Sequence, residues 1–232
     1  MEKNQKYTYL STKFSIDNIK VAKNKMLRNS GILTGFGLLD SGKELVTKEY
    51  YDTRDFFFSN NGITINKNIY KGKNMASLVV RYQNDRERIA FLSNMPEIFE
   101  IQIPVKDSIL KYVDFITNSI SELVPYGLEV DVAKTLYTTT NVFSSKKQRE
   151  KYKYISINGL KITFYFTKAI YSTPLNHNKE NIIMLEINSD ALDDRTKYDE
   201  FIKKVKFDFP ELIELQSSDY LLGKSLLFKE QK

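Results

Sequence analysis

Residues 7–16 (YTYLSTKFSI) alternate, with Tyr7, Tyr9, Ser11 and Lys13 on one side and Leu10, Thr12, Phe14 and Ile16 on the other. A period of two predicts a strand with one polar face. Asp17 then caps a predicted helix carrying Ile19, Ala22, Met26 and Leu27, which Ser30-Gly31 ends. Residues 32–39 and 43–52 read as a hairpin around Asp40-Ser41-Gly42. A turn or short helix covers 54–60, and Asn60-Asn61-Gly62 is a turn signal. Strands are predicted at 63–70, 75–82, 87–93 and 97–103. In the first of these Ile63, Ile65, Lys67 and Ile69 oppose Thr64, Asn66, Asn68 and Tyr70. In the second Leu78, Val80 and Tyr82 oppose Ser77, Val79 and Arg81. Residues 107–123 carry a helical stripe of Ile109, Tyr112, Val113, Ile116, Ile120 and Leu123, with Asp107 as its cap. A strand is predicted over 128–143 and an exposed basic loop over 144–151 (SSKKQREK). Strands at 152–157 and 160–168 flank Asn158-Gly159 as a hairpin. A strand at 180–188 and an amphipathic stretch at 190–209 follow. Residues 211–227 read as a short helix or strand docked on the body.

These elements make an α+β chain of mostly antiparallel strands, read as a single domain over 1–232 with its tail docked from about 211. Closing such a meander into an antiparallel β-barrel removes its sheet edges. Several strands set Lys, Arg, Thr, Asn or Ser opposite an apolar face. That polar face either meets solvent, as is common for antiparallel sheets, or lines a tunnel whose apolar outside is covered by helices.

Composition narrows the chemistry. The chain has 232 residues and a mass of 27.1 kDa, enough for a sizeable core. It contains no Cys and one His, His177. This excludes disulfides, thiolate nucleophiles, zinc fingers and multi-His metal sites. The net charge of +6 suits an anionic partner such as phosphate or nucleic acid. No apolar run approaches the roughly 18 residues that span a membrane, and the N-terminus lacks the apolar core of a signal peptide. The expectation is an intracellular, cytoplasmic protein.

One region is more specific. Residues 50–53 read YYDT, followed by Arg54-Asp55 and aromatics, by NNGITIN at 60–66, by a KGKN turn, and by LVVRY at 78–82. The order and spacing resemble the CYTH, or triphosphate-tunnel, superfamily, which includes adenylyl cyclases, thiamine and inorganic triphosphatases, and RNA triphosphatases. The resemblance matches Lys13 to the lysine of that family's opening ExExK strand. It matches Arg81 to the lysine of its T-L-K strand, and Glu186 in MLEIN to the first acid of its E-x-E strand. It implies a tunnel ringed by Lys and Arg that grips a triphosphate, with acids holding Mg²⁺ or Mn²⁺. The chain departs from the pattern elsewhere. Tyr9 and Ser11 replace the opening acids, Thr64 and Asn66 the arginines of L-R-x-R, and Asn188 the second acid of E-x-E, while the K-x-R strand offers only Lys134 or Thr135.

The candidate residues follow from both readings. Lys13, Arg81 and Lys161 are candidate phosphate ligands, Arg81 because a guanidinium grips phosphate bidentately and Lys161 because it shares a face with Thr163, Tyr165 and Thr167. Glu186 is the candidate metal ligand for Mg or Mn, with Glu129 and Asp131 as a further acid pair. His177 receives no role. The SSKKQREK stretch reads as a solvated charge run. Phe56, Phe57 and Phe58 either stack on single-stranded nucleic acid or plug one end of a barrel. The resemblance therefore implies a protein that binds a triphosphate- or polyphosphate-bearing ligand, a small phosphate-rich molecule or a nucleic acid with a 5′-triphosphate. If active, it would be a metal-dependent triphosphate phosphohydrolase. The lost acids and arginines favour a second reading, a non-catalytic tunnel module binding a protein partner in a larger complex. The basic excess favours a third, a nucleic-acid-associated protein.

Overall fold

The computed structural model describes residues 5–29, 31–72, 75–82, 97–124, 131–174, 179–190, 195–215 and 218–228. The strand expected at 87–93, Glu129 and His177 lie outside these residues. The elements are β1 (Gln5–Ser15), α1 (Ile19–Asn24), β2 (Phe36–Asp52), α2 (Phe57–Asn60), β3 (Ile63–Tyr70), β4 (Met75–Tyr82), β5 (Glu97–Val105), α3 (Val113–Leu123), α4 (Val132–Leu136), β6 (Thr140–Ser156), β7 (Lys161–Ser172), β8 (Lys179–Ser189), α5 (Arg195–Asp208), β9 (Ile213–Glu214) and α6 (Asp219–Leu227).

The strands form one antiparallel sheet in the order β5-β4-β3-β2-β6-β7-β8-β1-β9, with a further β1–β5 pairing. Strand β1 makes the turn. Its first half pairs with β5 and its second half with β8, which curls the sheet into a tunnel. Alternation then sorts the side chains between inside and outside. Outside, Leu10, Phe14, Ile162, Phe164, Phe166, Leu185 and Ile187 pack under α5, through its Tyr198, Phe201, Ile202 and Val205. On the other flank Ile63, Ile65, Leu78, Val80 and Ile103 pack against Ile116 and Ile120 of α3 and Leu136 of α4. The polar faces turn inward and are buried: Ser11, Lys13, Lys48, Asn66, Asn68, Arg81, Lys147, Thr163, Thr167 and Glu186. Of the two readings of those faces, the structure adopts the tunnel, because helices cover the apolar side.

Several elements differ from the sequence reading. The Asp40-Ser41-Gly42 hairpin does not form. Strand β2 runs unbroken for 17 residues and pairs with β6 along its length, with a register shift between Leu38 and Asp40. Turn residues alone do not stop a strand whose backbone groups find a ladder partner, and Gly42 is not among the glycines with positive φ. The 144–151 stretch is likewise no loop but the middle of β6. The strand expected over 128–143 begins only at Thr140. Before it lies α4, capped by Asp131, whose carboxylate accepts from the Lys134 backbone N–H at 3.0 Å. The cap of α1 is Asn18 rather than Asp17, accepting from Lys20 and Val21. The Asn158-Gly159 turn forms as expected, with Gly159 at φ 85°.

Candidate functional site

Three lysines from three strands converge on one carboxylate. Lys13 of β1 approaches Asp219 Oδ1 at 3.2 Å, while Lys48 of β2 and Lys147 of β6 approach Oδ2 at 3.2 and 2.5 Å. Asp219 opens α6, so the acid comes from the C-terminal tail rather than from the sheet. The tail is stitched to β1 immediately beside the site: β9 pairs with Phe14 and Ser15, and the Leu215 N–H donates to the Lys13 carbonyl at 2.8 Å.

A second layer lies one step along the strands. Lys13 stands opposite Glu186 in the β1–β8 register. Glu186 Oε1 accepts from Ser11 Oγ at 3.4 Å and from Asn188 Nδ2 at 3.1 Å, and Oε2 faces Arg149 at 3.7 Å. Arg81 donates through Nε and a terminal nitrogen to Glu100 Oε2 at 3.2 and 2.7 Å, where the Tyr9 hydroxyl also donates. Arg149 Nε and Thr167 Oγ1 are buried polar atoms without a hydrogen-bond partner among the described residues.

Burial and charge set the protonation states. Burial drives Lys147 well below the usual lysine range and Lys48 down to about 8, against the pull of Asp219. Burial alone would raise Asp219, but Lys13, Lys147, Lys48 and Arg149 outweigh it and hold the carboxyl well below its usual range. Glu186 behaves alike: burial opposes ionisation, yet Lys13 and Arg149 bring it to about 2. The two acids are therefore fixed as anions.

The tunnel has a dry end and a wet end. Along the inward row of β6 the side-chain exposure rises from 0% at Lys147 to 14% at Arg149 and 25% at Lys151. At the dry end Tyr50, Phe143, Tyr171 and Met184 pack against Tyr220, Leu222 and Leu227 of α6. Asp52 of the YYDT stretch belongs to this end. Its carboxylate accepts from the backbone N–H groups of Thr53, Phe58 and Ser59 at 2.8–3.0 Å and from the Tyr220 hydroxyl at 2.8 Å. It thus ties α2 and α6 together. Phe58 is buried under the outer core, and the Phe56 ring packs on Phe228, with Lys224 Nζ 4.2 Å from its centroid. Of Phe56, Phe57 and Phe58, only Phe56 packs against the dry-end cluster, while the other two belong to the outer core.

Of the residues singled out from sequence, Lys13, Arg81 and Glu186 point into one tunnel. Lys161 does not join them. It is exposed at the start of β7, four residues before Tyr165, the register partner of Glu186, and so about 13 Å along the strand. Lys67 reaches outward to the Asp107 carbonyl. Lys134 and Asp131 belong to α4, with Asp131 exposed at its cap. Sequence reasoning missed Lys48, Lys147, Arg149 and Asp219. A signal existed for two of them: within SSKKQREK, Ser145, Lys147 and Arg149 alternate, and Lys147-x-Arg149 is the K-x-R spacing sought around Lys134. Nothing local marks Asp219.

The described acids do not by themselves form a cage for a divalent cation. A metal needs oxygen donors that converge on one point, and among the described residues no three acid or His side chains gather so. The positions beside Glu186 and Asp219 are held by ammonium and guanidinium groups. The arrangement is that of an anion site, in which charge-assisted donors of two kinds surround a buried channel.

No family model matches the chain, and neither does any curated protein. Solved structures do. A Bacillus halodurans protein assigned as an adenylate cyclase superposes with a TM-score of 0.52 at 10% identity, over 94% of this chain and 97% of that one. A Hippeastrum protein assigned as an adenylyl cyclase, with a dominant triphosphatase activity, superposes with a TM-score of 0.54 at 11% identity, over 94% and 95%. The fold is the CYTH-like triphosphate-tunnel fold, a single curled antiparallel sheet with flanking helices. At these identities the likeness concerns fold alone.

Proposed function

We propose that this chain binds a triphosphate- or polyphosphate-bearing ligand inside its tunnel, and that it acts by binding rather than hydrolysis. The observation that carries this is a charge imbalance in a buried space. Five basic side chains (Lys13, Lys48, Arg81, Lys147 and Arg149) face three carboxylates (Glu100, Glu186 and Asp219), all with side chains no more than 14% exposed. Asp52, also buried, is spent on the α2 and α6 contacts. Unpaired buried charge is costly, and a polyanion would relieve it with charge-assisted hydrogen bonds. In this reading Lys13, Lys48 and Lys147 hold the innermost phosphate, and Arg149 and Arg81 those nearer the mouth. A base that activates water should titrate near the working pH. Glu186 at about 2, and Asp219 held well below the usual carboxylate range by its lysine neighbours, are too acidic for that task. Mg²⁺ or Mn²⁺ at Glu186 forms no part of the reading. The ligand class spans small polyphosphates and nucleic acids with a 5′-triphosphate, since the tunnel addresses only the phosphate chain.

Isothermal titration with tripolyphosphate, with sulfate as the reference anion, tests the proposal. Tripolyphosphate should bind the more tightly, and equal affinity for the two would sink it. Incubation with tripolyphosphate, ATP or a 5′-triphosphate RNA in Mg²⁺ or Mn²⁺ should give no turnover. Hydrolysis abolished by Glu186→Gln would replace the binding reading with a catalytic one.

A further inference from the structure

Asp219 is chemically out of place. A carboxylate on a nine-residue C-terminal helix has entered the most enclosed part of a channel built from sheet residues. There a single negative charge is shared by three ammonium groups. That is the contact pattern expected of a phosphate oxygen cluster gripped by lysines, with a one-charge carboxylate standing where a phosphate of higher charge would fit better. The helix that delivers it is seated with unusual closeness. Gly223 faces Phe143 and Tyr171. A Cβ built there would lie 2.8 Å from Phe143 Cζ and from Tyr171 Cδ1, and closer still to Phe143 Cε2. Gly in a helix interior costs about 1 kcal/mol relative to Ala, so the close approach is the physical reason for it. Tyr220 adds the hydrogen bond to Asp52. In contrast, among the described residues no ladder bond joins α6 to the sheet, and its backbone bonds are internal or to its own cap at Ser218.

We infer that Asp219 is a resident anion that occupies the lysine cluster in place of a ligand phosphate, making α6 an autoinhibitory plug. The inference rests on the tunnel reading above and deepens it. A ligand entering at the Arg149 end meets Arg149 and Arg81 first, and gains the three lysines only by displacing Asp219 from them. Apparent affinity is then reduced by the fraction of molecules whose lysines are free.

The test is titration of tripolyphosphate into three full-length proteins: the unaltered chain, Asp219→Asn and Gly223→Ala. Asp219→Asn removes the competing charge and leaves every lysine in place. Gly223→Ala keeps all charges but denies α6 its seat. Both should bind tripolyphosphate at least about tenfold more tightly than the unaltered chain, the size of a competent fraction of roughly one in ten. A role of Asp219 that is merely structural predicts no gain or a loss. Should Asp219→Asn fail to fold by circular dichroism, Gly223→Ala alone decides. Hydrogen exchange on the unaltered chain supplies a second readout: amides of 219–227 should lose protection when tripolyphosphate is added. Measurable binding by the unaltered chain with no gain in the variants, or α6 amides that gain protection, would overturn the plug while leaving the tunnel reading intact. Absence of binding by all three proteins would bring down the tunnel reading, and the plug with it.

Discussion

Replacing Lys147 by Met separates what the lysine cluster does for ligand binding from what it does for stability. Lys147 is fully enclosed, and its ammonium lies 2.5 Å from Asp219 Oδ2. Burial and three neighbouring cations, Lys48, Arg149 and Lys13, oppose its charge, and Asp219 is the main group that favours it. A buried ion pair replaced by an apolar residue of similar volume is often neutral or stabilising. Met keeps the length of the side chain, and Asp219 retains Lys13 and Lys48 as partners. The expected change in folding free energy is therefore within about 1 kcal/mol, which for a chain of this size is about 2–4 °C in Tm. Ligand binding should move differently. A hydrogen bond to a charged group contributes about 1.5–3 kcal/mol, so the variant should lose about 10- to 150-fold in tripolyphosphate affinity. Thermal melting and isothermal titration on the same preparation measure both. A Tm lowered by about 8 °C or more with unchanged affinity would refute the reasoning, because it would make Lys147 a structural cation.

Four further predictions concern Lys48, Asp52 and Tyr198. Lys48, brought to about 8 by burial, should be charged in a phosphate complex. Binding above pH 8 then takes up a proton, so affinity should fall by up to about tenfold per pH unit, and a flat profile from pH 7 to 9.5 would contradict this. The same group should make stability rise between about pH 8 and the ordinary lysine value of about 10.4, since over that window the unfolded chain binds more protons than the folded one. Asp52→Ala should cost about 3 kcal/mol or more by denaturant unfolding, because it strands the buried N–H groups of Phe58 and Thr53 and frees Tyr220. Tyr198→Phe removes a hydroxyl that donates to the Ile187 carbonyl at 2.6 Å. It should cost about 1 kcal/mol, or about 2–4 °C in Tm, with no effect on tripolyphosphate binding, since the residue lies outside the tunnel.

The strands most legible in the sequence were those whose two faces differ in polarity. Alternation at Tyr9, Ser11 and Lys13 and at Val79 and Arg81 identified β1 and β4 and put the right residues on a common face. The same rule was present in SSKKQREK but hidden by its charge. A run of polar residues on both faces reads as a loop when the inward face is assumed to be apolar. Lys147 and Arg149 became visible only once the interior was known to be polar. The Asp40-Ser41-Gly42 signal misled for a related reason. Turn chemistry is local, whereas the continuation of β2 depends on a partner strand about a hundred residues away.

Sequence alone determined the chemistry that is absent and the chemistry that remains. Without Cys, and with one His, the functional groups had to be lysine, arginine, carboxylate and hydroxyl. Period-two patterning determined which of them share a strand face. The tertiary structure decided which faces point inward, because that depends on helices α3 and α5 covering the apolar side. It also decided that the anion shared by the three lysines is Asp219, which no strand pattern could reveal. That residue reaches Lys13, Lys48 and Lys147 only because β9 pairs with β1 and Gly223 lets α6 sit against Phe143. Proximity of charges from four distant segments is a property of chain closure, and no local pattern in the sequence encodes it.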